Sequence, residues 1–135
     1  MIVIDASSLV KYLLREEGWQ MVEMNLQRGV VTLDHAEKEL LNAIWKHYSI
    51  RKIIDKDLSM GLYKVFRKLV DAKILIIERE EKYIEKAFEI ALKHDLTIYD
   101  SLYLSQALKW GKLLTSDNTQ KHVAEEMNIE TIFIP

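Results

Sequence analysis

Short runs of β-branched and aliphatic residues alternate along this chain with longer stretches whose apolar positions recur every three or four residues. The first run, "MIVID", ends at an acid and predicts a short buried strand. Leu9, Val10, Leu13 and Leu14 follow at helical spacing, and Trp19, Val22 and Leu26 then share one face of a second helix stopped at Gly29. "VVTL" is a second strand. "DHAEKELLNAIWKHY" predicts a third helix, opened by Asp34 and Glu37 three apart as an acidic capping box. Leu58, Leu62, Val65, Phe66 and Leu69 form the stripe of a fourth helix. "KILIIE" is a third strand. Tyr83, Ile84, Ala87, Phe88 and Ala91 mark a helix from about Glu80 to Lys93, with Glu89 and Lys93 as an exposed pair. "TIYDSLYLSQALKW" gives another helix closed by Gly111, "KLLTS" a strand, "NTQKHVAEEMN" a last helix and "ETIFIP" a final strand.

Strands that are apolar throughout, separated by helices, predict an α/β layer structure. Its sheet of about five strands is mostly parallel, because helices supply the crossovers that parallel neighbours need. No linker, repeat or low-complexity stretch interrupts it, so residues 1–135 read as one domain. In such sheets ligands bind at the carboxyl ends of the strands. That rule directs attention to Asp5 after "IVI", to Asp117 after "LLTS", and to Asp100 in the first turn of its helix.

Each of these acids has a structural explanation. Asp5 is placed to N-cap the helix that follows it, Asp117 or Ser116 to cap the last helix, and Thr97 with Asp100 has the T-x-x-D form of a capping box. Glu39 resists that account. It lies past the first turn of its helix, beside Leu40, Leu41, Ala43 and Ile44, which mark the buried side, and it shares a face with Asn42. The alternative is an exposed Glu–Asn pair. If the four acids converge, each like-charged pair at about 4 Å costs on the order of 4 kcal/mol at an effective dielectric near 20. They then stand apart, stay partly protonated, or hold a cation. Oxygen-only ligands point to Mg²⁺ or Mn²⁺, which would activate water and shield phosphoryl charge. Of the four histidines only His35, one turn before Glu39, falls near that pocket. No glycine-rich phosphate loop is present.

Composition narrows the picture further. The absence of cysteine removes disulfides and thiolate metal sites and suits a cytoplasmic protein. The N-terminal segment has no basic start and meets a charge at Asp5, so it reads as neither signal peptide nor membrane span. A net charge of −2 gives no overall attraction to nucleic acid. From Lys46 to Lys73, however, eight Lys/Arg face only three Asp, a local excess of +5. That segment is either a solvated helix pair or a phosphate-facing patch.

The residues "VIDASSLVKYLL", "EKELLNAIWK", "TIYDSLYLSQAL" and "LLTSDNT", in this order and across the whole chain, resemble the PIN-domain ribonucleases, in particular the VapC-type toxins of toxin–antitoxin pairs. The resemblance implies a single PIN-like domain with helices on both sides of the sheet, and Mg²⁺- or Mn²⁺-dependent endoribonuclease activity. It also implies an RNA substrate, a homodimer and a small antitoxin partner. It places the acidic quartet on Asp5, Glu39, Asp100 and Asp117. Asp5, Asp100 and Asp117 would be partners of the ion, and Glu39 would bind it or orient water. Asn42 falls on the helix asparagine of the family and Thr115 on its T-x-D hydroxyl, with Ser7 and Thr115 positioning carboxylates. Many relatives carry a further acid shortly after the T-x-D aspartate. Here Asn118, Thr119 and Gln120 follow, so one firmly bound ion is expected, with any second one arriving with substrate. Lys46, Arg51 and Lys52 are candidates for contact with the RNA backbone. The rivals are a non-catalytic PIN-like module that only holds RNA or a partner, and a receiver- or phosphatase-like phosphotransfer domain. The latter wants paired acids or D-x-D at the first strand, where Asp5-Ala6-Ser7 stands instead.

Overall fold

A computed structural model describes residues 1–135. Five short strands, β1 (Ile2–Ile4), β2 (Val30–Leu33), β3 (Leu75–Glu78), β4 (Lys112–Thr115) and β5 (Glu130–Phe133), form one sheet in the order β3-β2-β1-β4-β5. Every neighbouring pair is parallel. The helices are α1 (Ala6–Leu13), α2 (Trp19–Leu26), α3 (His35–Trp45), α4 (Lys56–Asp71), α5 (Ile84–His94), α6 (Ile98–Trp110) and α7 (Asn118–Glu126). The expected α/β architecture with helices on both faces is the one observed.

Both faces of the sheet are apolar, which is why the strands read as unbroken hydrophobic runs rather than alternating ones. Ile2, Ile4 and Leu114 point into a larger core with Leu9, Leu13, Val22, Leu40 and Phe66 from α1–α4. Val3, Val31 and Leu113 point the other way, against Ile90, Leu104, Ala107, Val123 and Ala124 from α5–α7. Helix α6 is buried from Ser101 to Ala107, and its polar side chains are used inside. Ser105 Oγ donates to Tyr83 O at 3.0 Å, and Gln106 Nε2 donates to Thr32 O at 3.0 Å. Gly111, at φ +91°, closes it in a left-handed turn that a side chain would strain.

The chain runs from β1 outward through β2 and β3, then returns to place β4 on the other side of β1. Strand order therefore reverses between β1 and β4, and crossovers leaving in opposite directions open a crevice beyond their carboxyl ends.

Several local expectations need correction. Asp34 and Glu37 do not form a capping box. Asp34 Oδ1 accepts from Glu80 N–H at 3.2 Å, and Glu37 Oε2 accepts from Tyr63 Oη at 3.0 Å, so long-range ties replace the local one. Residues Glu80–Lys82 form a 3₁₀ turn ahead of α5, and Glu89 pairs with Lys86 at 3.2 Å rather than with Lys93. Helix α3 runs on into a π-helical turn, Lys46–Ile50. The α4 stripe is only partly covered: Phe66 is fully buried, while Leu58 and Val65 remain exposed. Leu41 is exposed as well, so the buried side of α3 is carried by Leu40 and Ile44.

Candidate functional site

The site begins where β1 ends. Asp5 is the first residue past the strand, and its N–H still joins the sheet by donating to Leu114 O at 3.3 Å. The side chain turns back to cap α1, Oδ1 accepting from Ser8 N–H at 3.2 Å and from Ser7 Oγ at 2.6 Å. Its other oxygen accepts from Thr115 Oγ1 at 2.5 Å. The neighbouring strand end is laced to the same point. Ser116 N–H donates to Ser7 Oγ at 3.0 Å, Asp117 N–H donates to Thr115 Oγ1 at 3.0 Å, and the hydroxyls of Ser8 and Ser116 lie 2.9 Å apart. Ser7 and Thr115 thus hold both oxygens of one buried carboxylate.

Three further acids reach the same place from different elements. Asp117 caps α7, with Oδ1 accepting from Gln120 N–H at 2.8 Å. Asp100 stands in the first turn of α6, which is capped by Thr97 Oγ1 accepting from Asp100 N–H at 3.3 Å. Glu39 projects from the second turn of α3, and its Oε1 accepts from Tyr103 Oη at 2.9 Å. Asp5, Ser7, Glu39, Asp100, Tyr103 and Asp117 line one cleft of about 210 Å³. For Asp5 and Asp117 capping and convergence are the same arrangement, and Asp100 and Glu39, which cap nothing, meet them from within α6 and α3.

The electrostatics are unfavourable without a partner. Burial pushes the Asp5 carboxyl up to about 6, against the lowering effect of Ser7, Thr115 and Ser8, and Asp117 adds to the rise. Asp100 is raised by burial and then by the charges of Asp117 and Glu39, with Thr97 and His35 opposing. Tyr103 is held well above its ordinary value by burial and by the charges of Glu39 and Asp5, so it keeps its proton as a donor to Glu39. No Lys or Arg lines the cleft. Four carboxylates with no nitrogen or sulfur donor among them match the ligand chemistry of a hard divalent cation, Mg²⁺ or Mn²⁺. Asp5 has one of roughly four acceptor positions left after its three hydrogen bonds.

Not every candidate residue is at the cleft. Asn42 is exposed on α3 and outside the lining. Lys46, Arg51 and Lys52 are exposed on the turn after α3, where Arg51 Nη1 approaches His47 Nε2 at 3.5 Å. Two neighbours of the acidic quartet lie outside the set of site residues that the sequence suggests. Tyr103 is buried and bonded to Glu39, and its signal is its position one turn after Asp100 on the same helix. His35 lies with Nε2 at 3.0 Å from Glu39 Oε1, the placement expected of its i, i+4 spacing.

Residues 2–126 match the model of the PIN domain family. The chain is 32% identical over 119 residues to Ribonuclease VapC3 of Pyrobaculum aerophilum, an alignment covering 86% of this chain and 88% of that protein. Its fold is similar to the crystal structure of PAE2754 from the same organism, with a TM-score of 0.71 over 98% of this chain and 87% of that one, at 18% identity.

Proposed function

The chain belongs to the PIN-domain family, with a VapC ribonuclease among its relatives, and from that premise we propose that it is a divalent-metal-dependent endoribonuclease of the toxin–antitoxin type. The observation that carries the reading is the cleft at the sheet's reversal point, where four carboxylates converge with no cationic side chain to balance them. Asp5, Asp100 and Asp117 are the residues that would hold Mg²⁺ or Mn²⁺. Bound there, the ion supplies a more acidic water and shields charge developing on the phosphoryl group.

The protein's own groups do the rest. Ser7 and Thr115 fix the Asp5 carboxylate in one orientation at the wall of the cleft. Tyr103 holds Glu39 by one oxygen and leaves the other to orient a water or bind the ion. Asn42, exposed on α3 three residues after Glu39, would be a polar contact for substrate outside the cleft. Lys46, Arg51 and Lys52 supply positive charge to the phosphate backbone, contacts that position RNA without reading its sequence. The partner of such an enzyme is a small antitoxin protein, and the active form is a homodimer. A groove of about 570 Å³ between α3 and α4, lined by Leu41, Trp45, Tyr48 and Met60, supports a protein contact, because all four are exposed in the single chain.

The test is RNA cleavage by purified protein with Mg²⁺ or Mn²⁺ and with chelator. Cleavage that needs the ion and disappears in Asp5→Asn and Asp100→Asn, with their melting transitions intact, is the expected result. Undiminished cleavage by either folded variant removes the assignment, and RNA binding without any cleavage leaves a binding module in its place.

A further inference from the structure

We propose that Asp34, His35 and Glu80 form a second metal site, suited to a transition-metal cation such as Zn²⁺, beside the acidic cleft and separate from it. The sheet builds it. Strands β2 and β3 are parallel neighbours in register at Leu33 and Glu78. Asp34 is the first residue past β2, and Glu80 lies two past β3, so both carboxylates are delivered to the same edge. Two hydrogen bonds pin the loop there: Asp34 N–H donates to Glu78 O at 3.0 Å, and Glu80 N–H donates to Asp34 Oδ1 at 3.2 Å. His35 opens α3 between them. One ligand atom from each of the three residues lies within 4.8 Å of the others.

His35 supplies the independent sign of a ligand. Its side chain is only 9% exposed, and its ring packs 4.7 Å from the ring centre of Tyr103. Both ring nitrogens are buried, and neither makes a hydrogen bond. Leaving a buried polar nitrogen unmet carries its full desolvation penalty, so an ordinary core histidine would have found partners. The near neighbours are present but off-line: Nδ1 is 3.4 Å from Glu80 Oε2, and Nε2 is 3.0 Å from Glu39 Oε1. A hydrogen bond wants the acceptor along the N–H direction. A metal does not. With bonds of about 2.1 Å, two ligand atoms of a tetrahedral site stand roughly 3.4 Å apart, and the ion sits about 35° off the line joining them. The spacing of Nδ1 and Oε2 matches that of two ligands on one ion, and the Asp34 ligand atom lies within 4.8 Å of its two counterparts.

The donor set also separates this site from the cleft. One imidazole with two carboxylates suits Zn²⁺ and its neighbours, whereas the cleft offers only oxygen. Once Nδ1 is on the ion, Nε2 is the nitrogen that carries the proton, 3.0 Å from Glu39 Oε1 and off the line of a hydrogen bond. The ion then sets the tautomer of a histidine that touches the cleft. That connection rests on the ribonuclease reading; the metal site does not.

The experiment is calorimetric titration of Zn²⁺ into the full chain carrying Asp5→Asn, so that the cleft is weakened as a cation site, with excess Mg²⁺ to compete for its remaining carboxylates. Binding of one Zn²⁺ is expected, weakened at least ~10-fold by added Glu80→Gln or His35→Gln. The ring ¹⁵N resonances of His35 are expected to shift on Zn²⁺ addition. Glu80 is partly exposed, so Glu80→Gln carries the test even if His35→Gln fails to fold. No Zn²⁺ binding in the Asp5→Asn chain, equal affinity in Glu80→Gln, or unmoved His35 resonances would each overturn the site, whatever the outcome of the RNA assay.

Discussion

Glu78 and Asp5 are both carboxylates removed from water at the carboxyl ends of strands in one sheet, and their surroundings have opposite sign. Glu78 closes β3 with a side chain 10% exposed. Its Oε1 accepts from Tyr83 Oη at 2.6 Å, Trp110 Nε1 at 2.8 Å and Gln106 Nε2 at 3.0 Å, while Lys109 and Lys82 stand 3.7 and 3.8 Å from Oε2. Burial pushes its carboxyl up, but those donors, with Lys109, overcome it and bring it down to about 2. Asp5 also accepts three hydrogen bonds, yet burial prevails, Asp117 adds to it, and the carboxyl rises to about 6. Burial is common to both. The difference lies in the charge of the neighbours: Glu78 has its cations built in, and Asp5 has further acids. The first environment is complete in the protein alone, and the second, on the proposed function, would be completed by a cation from solution.

The largest effect that would break this comparison is catalytic. Asp5→Asn should lower RNA cleavage on the order of 10²-fold or more. Glu78→Gln, compared per folded molecule on the same RNA, should stay within a few-fold of wild type.

Stability should reverse the ranking. Glu78→Ala strands the donors of Tyr83, Gln106 and Trp110 in the interior and should cost about 3 kcal/mol, read as a lower denaturant midpoint. Asp5→Asn in metal-free protein near pH 7.5 should instead gain roughly 1–2 kcal/mol. Removing a charge whose carboxyl burial has pushed up to about 6 outweighs the weakened cap. A destabilised Asp5→Asn chain under these conditions would erase the contrast.

The pH dependence sharpens it. The Glu78 carboxyl is lowered on folding, so its contribution is fully present above its ordinary 4.5 and is lost as pH falls toward 2. The Asp5 carboxyl is raised, so its contribution is fully present below its ordinary 3.8 and is lost as pH rises through about 6. Melting profiles of metal-free protein should therefore lose their acid limb in Glu78→Gln and their decline between about pH 4 and 6 in Asp5→Asn. Mg²⁺ added above about pH 6 should restore wild type but not Asp5→Asn.

The smallest effect lies outside both carboxylates. Neutralising Lys46, Arg51 or Lys52 should weaken RNA binding and reduce the slope of log affinity against log salt by about 0.7 for each phosphate that is no longer neutralised. Neither melting nor metal binding should change.

What is legible in the sequence depends on how local each feature is. The strands "IVI" and "VVTL", the caps at Asp5, Thr97 and Asp117, and the placement of acids at strand ends are read from adjacent residues. Their convergence follows from parallel topology. Glu78 is invisible as an anchor because two of its donors come from 28 and 32 positions away, on α6. Tyr103 reaches Glu39 across 64 positions, and Glu80 reaches Asp34 across 46. The Asp34–Glu37 box fails for the same reason: long-range partners in the loop after β3 and in α4 compete for both side chains and win. The exposed half of the α4 stripe misleads differently, since helical periodicity marks an apolar face without saying what covers it.

The central claim is that Asp5, Glu39, Asp100 and Asp117 share one divalent ion. Anomalous diffraction from a crystal soaked in Mn²⁺ tests it most directly. The expected result is a strong peak in the cleft within about 2.1–2.3 Å of oxygens from at least two of these carboxylates. A cleft without a peak at saturating Mn²⁺, with the four carboxylates still gathered around it, would contradict it.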